Sequence, residues 1–402
     1  MKVMGKAILV FIVLFVLVVI ILKAIVLRPA EEAGLKEVNV ESGQRIPASG
    51  SKGSWPMFHG EQGLRGYTQA VLPGSLGVLW KFETGGEIKS SPVIDEGLVF
   101  IGSADANVYA IDLENGNQKW AYKTGGAVEA TACVIEDSVF IGSSDSFFYA
   151  LDAKTGGLKW KYETGGKILG SANWIGSDNG RDIMVIVGSY DNKLYCLNSA
   201  DGKVMWSYET DSYVNGTAAV EDDKIAFGGC DGMVHIVSSK DGSGLKQIDA
   251  GAYIAGSGAI LAGEIYIGNY ENVFMKADMT SGEILWKYTK SDEPYFSSPA
   301  VAEGRVVFGG RDNGIHCLEA GSGEEIWTFR TLAEVDSSPV ICGDKVVAGC
   351  EDGRLYMVRL SDGSKVWSFE TGQAISSSPA VAGDMVVVGC DDGYVYAFGP
   401  QR

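Results

Sequence analysis

From about residue 77 to the C-terminus, short apolar runs alternate with turn residues at a period near 40. Asp384-Met-Val-Val-Val-Gly-Cys-Asp-Asp-Gly-Tyr-Val-Tyr-Ala-Phe398 shows the middle of one unit. Each unit reads as four strands in order: one of small residues, a Val/Ile strand ending in Gly-Ser or Gly-Cys, a Tyr-containing strand after an acidic turn, and a Trp strand after a Thr-Gly or Asp-Gly turn. Tryptophans at 80, 120, 160, 206, 286, 327 and 367 mark the last strand. The gap between 206 and 286 is a copy without the indole, at Leu245-Lys246-Gln247.

Four short strands every ~40 residues are the signature of a β-propeller blade. Eight bodies start near residues 86, 126, 166, 212, 252, 294, 334 and 373. The last ends at Phe398 without a Trp strand, while an orphan Trp strand, Gly77-Val-Leu-Trp80-Lys-Phe, precedes the first. Joining the two closes the ring and pairs an otherwise exposed edge. The expected fold is all-β: an eight-bladed propeller of four-stranded antiparallel blades, closed by the Trp80 strand and preceded by one transmembrane helix.

Composition sharpens this reading. The 54 glycines in 402 residues accompany 46% hydrophobic residues, so the chain is neither collagen-like nor disordered. Glycines 116, 156, 202, 282, 323 and 363 fall at the turn before the Trp strand, where a tight turn needs positive φ or close approach. Trp80, Trp120, Trp160, Trp206, Trp286, Trp327 and Trp367 are expected to dock blade against blade, filling the wedge between neighbours.

Residues 7–22 are uninterrupted apolar residues, and 24–27 extend the run past Lys23 to about one bilayer span. No small-residue cleavage site follows. The segments expected are a cytoplasmic head (1–6), an uncleaved anchor (7–27), a linker (28–53) and the propeller (54–402) on the extracytoplasmic side, periplasmic or cell-surface. The formal charge is −18, and with four of the basic residues before Pro29 it reaches −22 beyond that point. A chain this acidic repels phosphate backbones, which disfavours nucleic acid. Seven cysteines read as small buried residues: Cys230, Cys350 and Cys390 in the place of Ser103, Ser143 and Ser189, Cys196 and Cys317 in that of Ala110 and Ala150.

Leu151-Asp-Ala-Lys-Thr-Gly-Gly-Leu-Lys-Trp160 resembles the tryptophan-docking motif of the PQQ-type (quinoprotein) β-propeller repeats, and Ile111-Asp-Leu-Glu-Asn-Gly-Asn-Gln-Lys-Trp120 and Leu360-Ser-Asp-Gly-Ser-Lys-Val-Trp367 are relatives of it. Trp55-Pro-Met-Phe-His-Gly is similar to the lead-in of many such proteins. The resemblance spans about residues 54–399. It implies two kinds of functional relative, quinoprotein dehydrogenases and BamB-like outer-membrane assembly proteins, and it implies that the first strand of each body lines a central channel.

Along those strands the third position is Ser or Thr in every copy: Ser91, Thr131, Ser171, Thr217, Ser257, Ser298, Ser338 and Ser378. Local hydrogen bonding is favoured over a solvated hydroxyl channel. The first position varies, which makes Lys89, Glu129, Asn215 and Asp336 candidates at the channel mouth. Asp105, Asp145, Asp191, Asp231, Glu271, Asp312, Asp352 and Asp392 invite a cation ring, but the turn chemistry of Asp before Gly or Asn is the favoured reading. Tyr213, Tyr253 and Tyr295 are read as equivalent entry-loop residues; with Tyr190, Tyr270 and Phe296 they form either a partner-binding patch or a plug in the channel mouth. The insertion 176–182 reads as a lengthened turn rather than a calcium loop.

Dehydrogenases of the resembling family carry a PQQ cofactor, calcium ligands, an Asp base and in many members a vicinal disulfide. This sequence has no Cys-Cys pair and no long insertions, and His59, His235 and His316 lie in different repeats. The expectation is a membrane-anchored, non-catalytic scaffold for protein or peptide partners at the cell envelope, without cofactor or metal. The alternative is a PQQ-dependent dehydrogenase-like protein with calcium, or a small-ligand sensor.

Overall fold

The structure, a computed structural model, describes residues 53–176 and 182–401. The expected head, anchor and nearly all of the linker lie outside these residues, as do 177–181 of the blade-three insertion. Among the described residues there is no helix, and hence none long and apolar enough to cross a membrane.

Strands follow one another in eight antiparallel sheets. Blades 1 to 7 comprise 93–123, 133–163, 173–209, 219–249, 259–288, 300–330 and 340–370; blade 8 combines three strands within 380–399 with Gly77–Glu83 as its outermost. That strand pairs with Tyr394–Gly399, with Trp80 opposite Ala397. The middle strands of each blade, such as Leu98–Gly102 and Asn107–Asp112, are buried nearly throughout. They read as continuous apolar runs because each face packs on a neighbouring blade. The outermost strands are largely exposed, as in Gln118–Lys123.

Six of the seven indoles dock on the turn of the following blade, while Trp367 packs on Phe369 and Phe398. Trp80 lies against Gly116 and donates its N–H to Leu113 O (2.8 Å), Trp120 lies against Gly156 and donates to Ala153 O (2.9 Å), and Trp327 lies against Gly363 and donates to Leu360 O (2.9 Å). At Gly156, with φ +71°, a Cβ would sit 2.6 Å from the Trp120 ring, so glycine is required twice over, by conformation and by space. In the copy without an indole, Lys246 lays its methylene stem on Gly282 instead.

At the centre, the third-position hydroxyls form a hydrogen-bond circuit. The N–H of Ser91 donates to Thr131 Oγ1 (3.1 Å), Thr131 to Ser171 (3.2 Å), Ser171 to Thr217 (3.2 Å), Thr217 to Ser257 (2.8 Å), and the series continues through Ser298 and Ser338 to Ser378. Ser378 donates back to Ser91 (2.9 Å). These small residues are there because inner strands this close leave room for nothing larger.

The lead-in segment does more than approach the first blade. It runs as a strap beneath the inner strands, touching blade after blade. Trp55 exchanges both backbone bonds with Ile94; Val134 N–H donates to Pro56 O, Val220 to Gln62 O, Ile260 to Gly63 O, Val301 to Arg65 O and Ile341 to Gly66 O, all within 2.7–2.8 Å. Blade 3 is held by side chains: Gln62 donates to Trp174 O and Asn173 to Gln62 O, both at 2.8 Å. The strap then adds Tyr67–Thr68 as a parallel strand on blade 7.

Candidate functional site

The strap makes the central channel blind. Phe58 lies at its floor, and above it the eight hydroxyls line a cavity of about 220 Å³ whose walls also include Lys89, Glu129, Asn215 and Phe296. The opposite end opens among the entry loops and the turns that carry the acidic residues. Backbone bonds pair these two sets blade by blade: Ala104 with Glu87, Tyr190 with Lys167, Cys230 with Tyr213, Tyr270 with Tyr253, Arg311 with Pro294, Glu351 with Glu334 and Asp391 with Ala374.

This register corrects two expectations. Tyr295 is not the counterpart of Tyr213 and Tyr253; Pro294 is. Tyr295 stands in line with Val214 and Ile254 and is fully buried, packed on Phe274, Phe308, Tyr288 and His316. Cys230 does not replace Ser103; Gly229 does, and Cys230 belongs with Tyr190 and Tyr270 at the mouth, half-exposed, while the other six cysteines are buried and all seven are free. For Tyr295 the cause is one extra residue in the loop between Trp286 and Ser298; the turn of Cys230 keeps the common length, since Gly228-Gly-Cys-Asp231 matches Gly102-Ser-Ala-Asp105 residue for residue.

What remains of the aromatic set is an arc over blades 3 to 6. Tyr190 and Tyr213 stack with centroids 4.7 Å apart, and Tyr190 OH donates to Asn215 Oδ1 (2.9 Å). Tyr270 packs on Tyr253 at 6.4 Å and on Phe296 at 4.6 Å. Tyr213, Tyr253 and Tyr270 are 48%, 60% and 49% exposed, so none of the three belongs to the core.

The other half of the mouth is acidic. Asp336 takes a two-pronged bond from Arg311, Nε to Oδ1 at 3.0 Å and Nη2 to Oδ2 at 2.6 Å, and Glu334 lies 3.2 Å from the same guanidinium. That guanidinium also covers the Phe296 ring at 3.9 Å, joining the two halves. Next to it, burial together with Asp336, Asp391 and Glu334 pushes the Glu351 carboxyl up to about 7. Burial likewise raises Asp391, which accepts a bond from Ser376 Oγ (3.0 Å). Lys89 is exposed beside Glu87 at 4.0 Å, and Glu129 has no ion-pair partner among the described residues. Arg311, Glu351 and Asp391 escaped the sequence reading, although the position just before each acidic turn residue would have exposed them.

The eight-carboxylate set serves the turns. Asp105 accepts bonds from its own turn at Asn107 N–H (2.9 Å), from Tyr109 OH (2.6 Å), and from Gly85 N–H (2.7 Å). In blades 4 and 6 histidine replaces that tyrosine: His235 lies 2.9 Å from Asp231 and His316 2.9 Å from Asp312. Blade 5 departs, since Asn269 rather than Glu271 accepts the turn N–H groups of Glu271 and Val273 (3.0 Å each). No group of three His, Cys, Asp or Glu among the described residues is placed to hold a metal ion.

The family model described as outer membrane protein assembly factor BamB matches residues 75–138, 124–295 and 271–402. The chain belongs to this PQQ-repeat BamB family. Among solved structures, BamB from Moraxella catarrhalis aligns with TM-score 0.69 at 19% identity, covering 82% of this chain and 98% of that one. The quinohemoprotein alcohol dehydrogenase of Comamonas testosteroni aligns with TM-score 0.74 at 14% identity, covering 88% of this chain and 82% of the enzyme. The computationally designed Ika8 protein gives 0.70 at 16%, with 80% and 99% covered. No curated protein matches. At these identities the structures share the fold alone.

A PQQ cofactor does not suit the residues at this mouth. PQQ carries several carboxylates, and at this mouth it would meet Glu129, Glu334, Glu351 and Asp391, while Asp336 is already paired with Arg311.

Proposed function

We propose that this BamB-family chain is a non-catalytic interaction scaffold at the cell envelope, whose channel-mouth face captures segments of partner proteins. The observation that carries the reading is the exposed arc of Tyr213, Tyr253 and Tyr270 above a blind, rigid funnel. Large flat rings held in place offer contact area at little entropic cost, and a monomer in water gains nothing from exposing them. Residues 7–27 are proposed to tether the propeller to a membrane, with the acidic disc on the extracytoplasmic side. That the family carries the description of an assembly factor supports the scaffold role.

A photo-crosslinking residue at Tyr253, compared with one at Lys119 on the outer strand of blade 1, tests the reading in cells. Specific adducts from the mouth and none from the outer strand are expected. Stoichiometric retention of added PQQ and calcium through gel filtration, with dye reduction by an alcohol, would overturn it.

A further inference from the structure

We propose that the mouth receives an arginine or lysine side chain presented by an extended basic segment of a partner protein, with its cation against the tyrosine arc and the facing carboxylates. The inference rests on the scaffold reading and names the chemistry of what that scaffold holds.

Arg311 already displays the mode within the molecule. Its guanidinium covers an aromatic face, Phe296, and forks onto a carboxylate, Asp336. Going back around the ring, the positions equivalent to Arg311 are Tyr270, Cys230 and Tyr190, so the neighbouring aromatic faces have no cation of their own. Tyr213 and Tyr253 stay open to solvent, and no lysine or arginine among the described residues lies over either ring. Glu129 lines the same cavity without an ion-pair partner among the described residues, and its charge adds to the burial that raises the Tyr190 phenol. An aromatic face beside an unneutralised carboxylate is the environment a desolvated cation prefers.

The wall below suits a polypeptide. Each of the eight hydroxyls is more than nine-tenths buried and accepts one backbone N–H on its oxygen, yet donates its own hydrogen to no described group. Convergent O–H donors in a blind cavity call for acceptors, and the carbonyls of an entering segment supply them. The charge of −22 beyond Pro29 adds a long-range field that steers basic segments in and keeps anionic membranes and nucleic acids out.

Fluorescence anisotropy with the full-length chain tests this, using a labelled peptide of alternating arginine and serine, its citrulline counterpart and its glutamate counterpart. The arginine peptide is expected to bind at least about tenfold more tightly than the citrulline one, with affinity falling as salt rises, and the glutamate peptide not at all. The double variant Tyr213→Ala/Tyr253→Ala and the single variant Glu129→Gln should each weaken arginine-peptide binding, while Lys119→Ala should not. Affinity should also rise between about pH 6 and 8 as Glu351, which faces Asp336, Asp391, Glu334 and Arg311, loses its proton. Equal binding of arginine and citrulline peptides, or arginine binding unchanged in the mouth variants, overturns the inference. Tighter binding to anionic vesicles than to the peptide does so too. If crosslinking at Tyr253 still yields specific adducts, the scaffold reading survives that outcome; if it yields none, both fall.

Discussion

The backbone N–H of Ser378 donates to Oγ of Ser91 at 2.9 Å, across 287 residues of chain. It is one of eight equivalent bonds by which each inner strand hands a donor to the next blade. The circuit holds the funnel wall in one geometry.

Removing one hydroxyl should therefore cost stability out of proportion to its size. Ser338→Ala leaves the buried N–H of Ser298 without its acceptor, and about 1–2 kcal/mol of unfolding free energy should be lost. Denaturant titration measures it, and Ser338→Thr should restore most of the loss. A change within about 0.5 kcal/mol for the alanine variant would mean that channel water replaces the bond fully.

The two tyrosines separated by register should respond in opposite ways. Tyr295→Ala empties a fully buried site among Phe274, Phe308 and His316 and should destabilise by about 3–5 kcal/mol. Tyr253→Ala removes a ring that is 60% exposed and should leave stability within about 0.5 kcal/mol. Thermal melts of the pair decide between this register and the one read from sequence.

Lys246 occupies a seat built for an indole. Lys246→Trp would place the ring on Gly282 (φ +78°) and its N–H toward Met279 O, the counterpart of Leu113 O and Ala153 O. A gain of about 1–2 kcal/mol is expected from the buried area and the added hydrogen bond. An unchanged or lower melting temperature would show that the seam between blades 4 and 5 has closed around lysine.

Stability should depend on pH through two groups of opposite sign. Burial lowers His59 from 6.5 to about 4, against the weaker pull of the Leu64 and Pro299 carbonyls. The unfolded chain then binds the proton more readily, so this contribution is complete above about pH 6.5 and falls by ~2 kcal/mol at about pH 5. Glu351 behaves conversely: its carboxyl, raised from 4.5 to about 7, keeps a proton that the unfolded chain releases, so stability declines as pH rises from 4.5 to 7. His59→Phe should flatten the acid limb, and Glu351→Gln should raise the melting temperature at pH 8 but not at pH 4.5. Melting curves unchanged by Glu351→Gln at either pH would show that water screens the carboxylate cluster.

The glutamate and the arginine at the mouth mark where sequence reading ran out. Glu351 and Arg311 occur just before Asp352 and Asp312, at the position held by Tyr190 and Tyr270, so the repeat places them at the mouth but does not say which groups they meet there. Only the convergence of blades 6, 7 and 8 brings Arg311 onto Asp336 and crowds Glu351 against Asp391. A related limit misplaced Tyr295, because one added residue between Trp286 and Ser298 leaves composition untouched while moving the ring from the mouth into the core; Cys230, by contrast, was legible, since Gly228-Gly-Cys-Asp231 runs parallel to Gly102-Ser-Ala-Asp105.

The sequence by itself determined the blade count, the strand order within each blade and the glycine at the turn before the Trp strand. Each of these follows from local periodicity: a repeat of ~40, an alternation of turn and strand, and a glycine where φ must be positive. Tertiary structure alone decided that residues 54–68 pass under seven successive blades as a strap, that Phe58 floors the channel, and that one half of its mouth is aromatic and the other acidic. The strap is held largely by backbone bonds that any residue can make, and the two halves of the mouth bring together side chains from different blades, so neither leaves a pattern in the order of residues.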